Sequence, residues 1–388
     1  MKRKEVNFVN GAKFLCMLTA GLFLLSACGN TKQKDTNDVA APMEVNTIAS
    51  DFEYRHIAES ENGYYFWERM NADQYDTRLM FMDKESGRVV PLCNRPDCGH
   101  EGRECNAYFS GLNIGADGID KQYLQYYEGS LYAVGLSADD YVVLFRIKAD
   151  GSEWEIVTKL YRTDYAATGH WHSPELLIEE GYVYFVDWKQ KIKKLERIPI
   201  GGGASEVVFE GDSDALEVQI FRMKSNEGFL YFQVLNFSDN IYENAVGGLY
   251  CCNTETGQCS LVKEGLSGPY SVCNGFVYYG NQEGLCRYSV QDQTAEILVG
   301  QTMNVPNITL TKDYIILCDQ MADYGLTLYD YDGMKITTVS NTLGLHWYFG
   351  GNAERLFGEC AGERGLSLCF LDLTRPVTEL QWEELKEN

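Results

Sequence analysis

Among 388 residues this chain has only 8 prolines and 5 histidines, and its 33 basic residues face 56 acidic ones. The deficit of positive charge gives a formal net charge of −23, so phosphate backbones and anionic surfaces would repel it. Nucleic acid is therefore not an expected partner. The sequence has no Gly-x-Ser-x-Gly elbow, Walker-type loop, His-Glu-x-x-His helix or Asp-rich calcium loop. Gly201-Gly202-Gly203 is a plain turn, since neither a Lys-Ser/Thr pair nor a helical pattern follows it. No catalytic residue is assigned on these grounds. Helical periodicity is also scarce: only residues 379–386 carry a short, ambiguous pattern, which disfavours an α/β fold.

What is present is apolar and aromatic, at 45% and 13% of residues, enough for a large core. The clearest local signal is Cys273-Asn274-Gly275-Phe276-Val277-Tyr278-Tyr279, where an Asn-Gly pair suited to a type I′ turn precedes a strand-forming run. The same hairpin recurs around Gly63, Gly129, Gly181, Gly228, Gly275, Asp313 and Glu354, at spacings of 66, 52, 47, 47, 38 and 41 residues. A second strand follows each copy, as in Leu285-Cys286-Arg287-Tyr288. Most of these second strands run into a further turn such as Asn253-Thr254-Glu255-Thr256-Gly257. The unit is thus four strands, near the length of one propeller blade. The expected fold is all-β, a single β-propeller of four-stranded blades over residues 45–388. Seven copies favour seven blades over six or eight. Phe52 to Ala58 reads as the innermost strand of blade one.

The N-terminus has a different character. Lys2, Arg3, Lys4 and Lys13 precede an apolar run from Phe14 to Leu25, too short to span a bilayer comfortably, so residues 1–27 read as a secretion signal. The signal ends in Leu25-Ser26-Ala27-Cys28, which resembles the lipobox of bacterial lipoproteins. That resemblance implies that Cys28 is lipidated, with palmitate among its acyl chains, and becomes the new N-terminus. Residues 28–44 read as a polar tether. The mature chain would carry 29 basic and 55 acidic residues, and the lipid would hold it to the outer face of the bacterial cytoplasmic membrane.

The repeated Asn-Gly-x-x-Tyr-Phe hairpin, with its following Leu-Tyr-x-x-Asp-like strand, resembles the propeller of bacterial lipoproteins related to the YWTD type of the low-density-lipoprotein receptor. The resemblance spans most of residues 50–388. It implies an architecture rather than an activity, because propellers host binding, scaffolding and catalysis alike.

Two constellations interrupt the repeat. Cys93, Cys98, His100 and Cys105 lie within thirteen residues, in an insertion that lengthens the first repeat interval. Three thiolates and an imidazole satisfy tetrahedral zinc, with no open position for substrate, so a structural zinc site is one reading. A disulfide between two of these cysteines, with the third paired elsewhere or free, and plain turn chemistry are the others. The remaining cysteines, including Cys252 and Cys259, read as small hydrophobes on strands. The second constellation is Gly169-His170-Trp171-His172-Ser173-Pro174. By the strand assignment His170, Trp171 and His172 share the ligand face with Trp188, Asp212, Asp214, Tyr242, Tyr324, His346, Trp347 and the cysteine loop.

Aromatic rings with acidic neighbours suit sugars or cationic peptide segments. The expected function is a membrane-anchored binding module for a glycan, peptide or envelope protein. The alternatives are a propeller lyase or hydrolase acting on extracellular glycans, with His170 or His172 as base, and a structural subunit of an envelope complex.

Overall fold

The computed structural model describes residues 51–52, 56–70, 76–112, 115–238, 246–300, 307–319, 324–362 and 365–386, within the compact unit Val45–Asn388. Cys28, the signal and the tether lie outside the described residues, as does Tyr242.

The strands sort into seven antiparallel sheets that follow one another along the chain, each a blade whose first strand is innermost. This is a seven-bladed propeller with almost no helix; among the described residues the one α-helix is the single turn Tyr165–Thr168. Tight turns make the blades possible. Glu128-Gly129, Glu180-Gly181, Glu227-Gly228 and Asn274-Gly275 each place two consecutive residues at positive φ, the type I′ geometry that matches strand twist. Blades one, six and seven close the same hairpin differently. Ser60, Thr311 and Asn352 open these turns, and their side-chain oxygens accept backbone N–H groups of Gly63, Tyr314 and Arg355. Gly63 is therefore not a turn residue at positive φ. It starts the next strand, where a Cβ would lie 2.3 Å from the Met82 carbonyl oxygen.

The outer strands show a regularity that hydrophobic pattern alone hides. In blades two to six the ladder between the third and fourth strands skips a residue, at Val157, Val208, Val262, Leu298 and Ile336. Each skip is a β-bulge, which bends the strand. Val157, Val208, Val262 and Leu298 pack against cores that include the inner strands of the following blade.

Ring closure departs from expectation. Ile57–Glu59 is the innermost strand of blade one, but Asp51–Phe52 pairs with the inner edge of blade seven, Asp51 opposite Gly351 and Phe52 opposite Gly350. A Cβ on Gly351 would meet the Arg355 carbonyl oxygen at 2.0 Å, so glycine is required where the chain turns back so closely. Residues 379–386 are not a helix: Trp382–Glu384 is the outer strand of blade seven. Asn352 completes the seam, donating to Tyr64 Oη at 2.8 Å and Glu59 Oε1 at 2.5 Å in blade one.

Candidate functional sites

The cysteine insertion leaves the outer strand of blade one and returns to the same rung. Leu92 donates to the Leu79 carbonyl, and the Leu79 N–H donates to Ala107, so residues 93–106 are a knuckle inserted at one ladder position. The strand then resumes as Tyr108–Phe109 against Thr77 and Arg78. This corrects the expected placement: the knuckle projects from the outer edge of blade one, not from the loops of the ligand face. Its own turns are tight. Cys98 N–H bonds the Arg95 carbonyl, Cys105 N–H bonds Gly102, and His100 and Gly102 adopt φ of 57° and 84°. Arg95 ties the two ends by donating to the Glu104 carbonyl, and Asn106 Nδ2 reaches Asn94 Oδ1 at 3.0 Å.

These turns bring one ligand atom each from Cys93, Cys98, His100 and Cys105 to within 4.8 Å of one another. Cys105 Sγ lies 3.5 Å from His100 Nδ1. Zinc bonds of about 2.3 Å to sulfur and about 2.0 Å to nitrogen place tetrahedral ligand atoms roughly 3.5–3.8 Å apart, so the donor set fits the ion with slight closure. The three cysteines are thiols in this structure. Burial and the neighbouring thiols push Cys105 up to about 12; Cys93, despite some burial, is held below the usual thiol range by the backbone N–H groups of Arg95 and Asn106. Crowded thiols cannot all ionise together unless a cation joins them.

The His170–His172 segment connects blade two to blade three. The Trp171 and His172 side chains take separate partners, and His170 is held through its backbone. Trp171 Nε1 donates to Asp120 Oδ2 at 2.7 Å, anchoring the loop to the buried inner strand of blade two. The His172 ring lies 6.4 Å from Trp188, over which Lys193 sits at 5.5 Å. His170 is exposed, its N–H bonded to Thr168 Oγ1. Among the described residues the pair gathers no third metal ligand; the knuckle is the one such cluster. His346 and Trp347 are not loop residues. They start the innermost strand of blade seven, Leu345–Gly351, at a bulge, with Trp347 47% exposed. Blades three and seven are not neighbours in the ring.

Two sets of residues escaped the sequence reading. The inner strand of blade two, Gly118–Tyr127, bulges between Asp120 and Leu124 and carries Lys121. Near it His56 stacks on Phe349, with ring centroids 4.7 Å apart; burial, then Lys121 and Arg69, push the imidazole down to about 4. The second set repeats. Arg146–Glu155, Arg197–Glu206 and Arg287–Glu296 are cross-strand pairs nine residues apart in blades two, three and five. Each Arg also faces a second-strand tyrosine, Tyr132, Tyr184 or Tyr278. An Arg-x8-Glu period was visible in the sequence, but short of the fold nothing marked it as a pair. Cys252 and Cys259, read as packing residues, face each other across blade four and are joined as a disulfide.

No family model matches the chain, and no curated protein matches it. Solved structures do. A prolyl endopeptidase aligns at 12% identity with a TM-score of 0.56, over 86% of this chain and 50% of its own. A puromycin-hydrolysing peptidase of Mycobacterium tuberculosis aligns at 12% and 0.56, over 87% and 53%. Prolyl oligopeptidase B of Galerina marginata aligns at 11% and 0.55, over 84% and 49%. The chain thus spans about half the length of the structures it matches. At such identity the likeness is one of fold, the propeller.

Proposed function

We propose that this chain is a lipoprotein of the YWTD-like propeller kind, tethered by a lipid on Cys28 to the outer face of the cytoplasmic membrane. There it binds an extracytoplasmic partner through its loop face and holds a structural zinc in Cys93, Cys98, His100 and Cys105. The observation that carries the binding reading is the fixed, half-exposed aromatic surface around blade three: Trp171 pinned by Asp120, and His172 set against Trp188. Pre-positioned aromatic side chains bind with little ordering cost. Convergence of a Cys3His donor set carries the zinc. The solved neighbours are propellers of hydrolases, which keeps a lyase or hydrolase as rival. His172 engaged with Trp188 is a poor candidate base, and His170 meets Thr168 only through its backbone N–H.

The test is direct. Labelled palmitate should enter the wild-type chain and not Cys28→Ser. Metal analysis should find about one zinc per chain, lost in Cys98→Ser. Trp188→Ala and His172→Ala should weaken partner capture while leaving the melting temperature in place. Turnover of a glycan panel that vanishes in His170→Ala would replace the module with the enzyme.

A further inference from the structure

The knuckle has a neighbour that the loop-face reading does not use. Between it and blade two lies a groove of about 410 Å³, lined by residues 103–106 of the knuckle on one side and by Ser152, Glu153 and Trp154 of blade two on the other. Volumes of about 300–1,000 Å³ are usual for small-molecule sites. Its apolar part is aromatic. Trp154 packs on Phe145 at 5.5 Å and on Phe109 at 6.1 Å, which in turn meets Trp67 at 5.3 Å, yet Trp154 keeps 47% of its surface exposed. A tryptophan braced by two rings, one of them backed by a third, and still open is a rigid platform.

Around the platform the groups are polar. Asn106 is spent, since its amide donates to Asn94 Oδ1 and the Ser152 carbonyl, and Glu153 pairs with Lys148 at 2.8 Å. The Glu104 carboxylate and the Ser110 hydroxyl bond to no other described residue and line the same groove. We infer that this rim groove is a saccharide site, in which one pyranose ring stacks its C–H face on Trp154 while its hydroxyls bond Glu104 and Ser110.

Two observations exclude the other occupants. Anionic ligands meet Glu104, Asp117 and Glu153 in the groove, with Arg103 alone opposing them, on a chain of net charge −23. An extended peptide would add to the free edge of Trp154–Arg162. That strand breaks register twice in nine residues, between Ile156 and Thr158 and between Lys159 and Tyr161, and a doubly bulged edge does not template another strand. A neutral oligosaccharide needs no edge and meets no repulsion.

The site is separate from the loop face and shares with the zinc reading only the order of its wall. Its test uses the zinc-loaded full chain and neutral tetrasaccharides of glucose, N-acetylglucosamine, galactose and mannose, followed by calorimetry and tryptophan fluorescence. At least one should bind. Trp154→Ala should weaken it about tenfold, Trp154→Phe much less, and Trp347→Ala and Trp188→Ala not at all. Glu104→Ala, at an exposed position that leaves folding intact, should weaken it a few-fold. A panel in which no sugar binds, or only peptides do, overturns the proposal; so does sugar binding indifferent to Trp154 and Glu104. Loss in Trp188→Ala instead would sink the groove and leave the loop face standing. Binding that depends on Trp154 in a chain holding no zinc would sink the metal reading and leave the groove.

Discussion

Arg287 shows how one side chain joins three strands and two blades. Its guanidinium bonds Glu296 at 2.7 Å and the Tyr331 carbonyl of blade six at 3.3 Å, and lies 5.3 Å from the Phe276 ring centroid. Arg197 repeats the scheme with Glu206 and the Thr254 carbonyl. The Glu partners are exposed, so the ion pairs add little by themselves. The bond to a carbonyl of the next blade matters more, because a hydrogen bond from a charged donor at a part-buried site outweighs an exposed ion pair and ties two blades together. Arg287→Ala should therefore lower stability by about 2 kcal/mol and Glu296→Gln by under ~1 kcal/mol, as read from urea midpoints. At His56 burial, then Lys121 and Arg69, hold the imidazole neutral in the fold down to about pH 4. The unfolded chain takes up that proton near pH 6.5, so it binds more protons than the native state between these values. Stability should fall as pH drops from 6.5 toward 4, and His56→Phe should flatten that slope in denaturation curves at pH 7 and pH 5.

At the scale of elements, the hairpins were readable because a type I′ turn demands two residues at positive φ, and Asn-Gly is among the sequences that supply them. At Thr311 and Asn352 that chemistry is missing, and at Ser60 the Asn62-Gly63 pair does not take it up; a side-chain oxygen caps these three turns. The strands after Asp313 and Glu354 were identified by their apolar runs instead. The knuckle was legible as a donor set but not as a place, since its position depends on Leu92 and Ala107 meeting at Leu79. Removing the proposed zinc should act locally. With residues 93–106 attached at one rung and held otherwise by a few turns, a strong chelator should open them to protease while the cooperative unfolding of the propeller moves by only a few degrees. Mass spectrometry of the nicked chain checks both halves. Cleavage elsewhere first, or none, would contradict the stapling role.

At the scale of the molecule, the ring has a seam between blades seven and one. Asn352 is buried there, and it both caps its own hairpin and donates to Tyr64 and Glu59 across the seam. Tyr64 also packs on Phe357 of blade seven, at 4.9 Å. Truncating Asn352 takes the donor from Tyr64 Oη on one side and the acceptor from the Glu354 and Arg355 N–H groups on the other. Asn352→Ala should cost roughly 2–4 kcal/mol, more than an Ala substitution at the equivalent turn position of an interior blade such as Thr311. Thermal melts of the two variants decide it, and equal shifts would deny the seam its special role.

The sequence by itself determined the all-β class, the number of hairpins and the grouping of Cys93, Cys98, His100 and Cys105, because turn chemistry, strand alternation and close donor spacing are local properties. Only the tertiary structure decided where those groups lie. It put the knuckle on the rim, His346 and Trp347 within a strand, and Asp51–Phe52 in blade seven's sheet. It also paired Cys252 with Cys259 and aligned each Arg with a Glu nine residues on. Those facts depend on register and on the curvature that closes seven twisted sheets into a ring, which no short stretch of chain encodes alone.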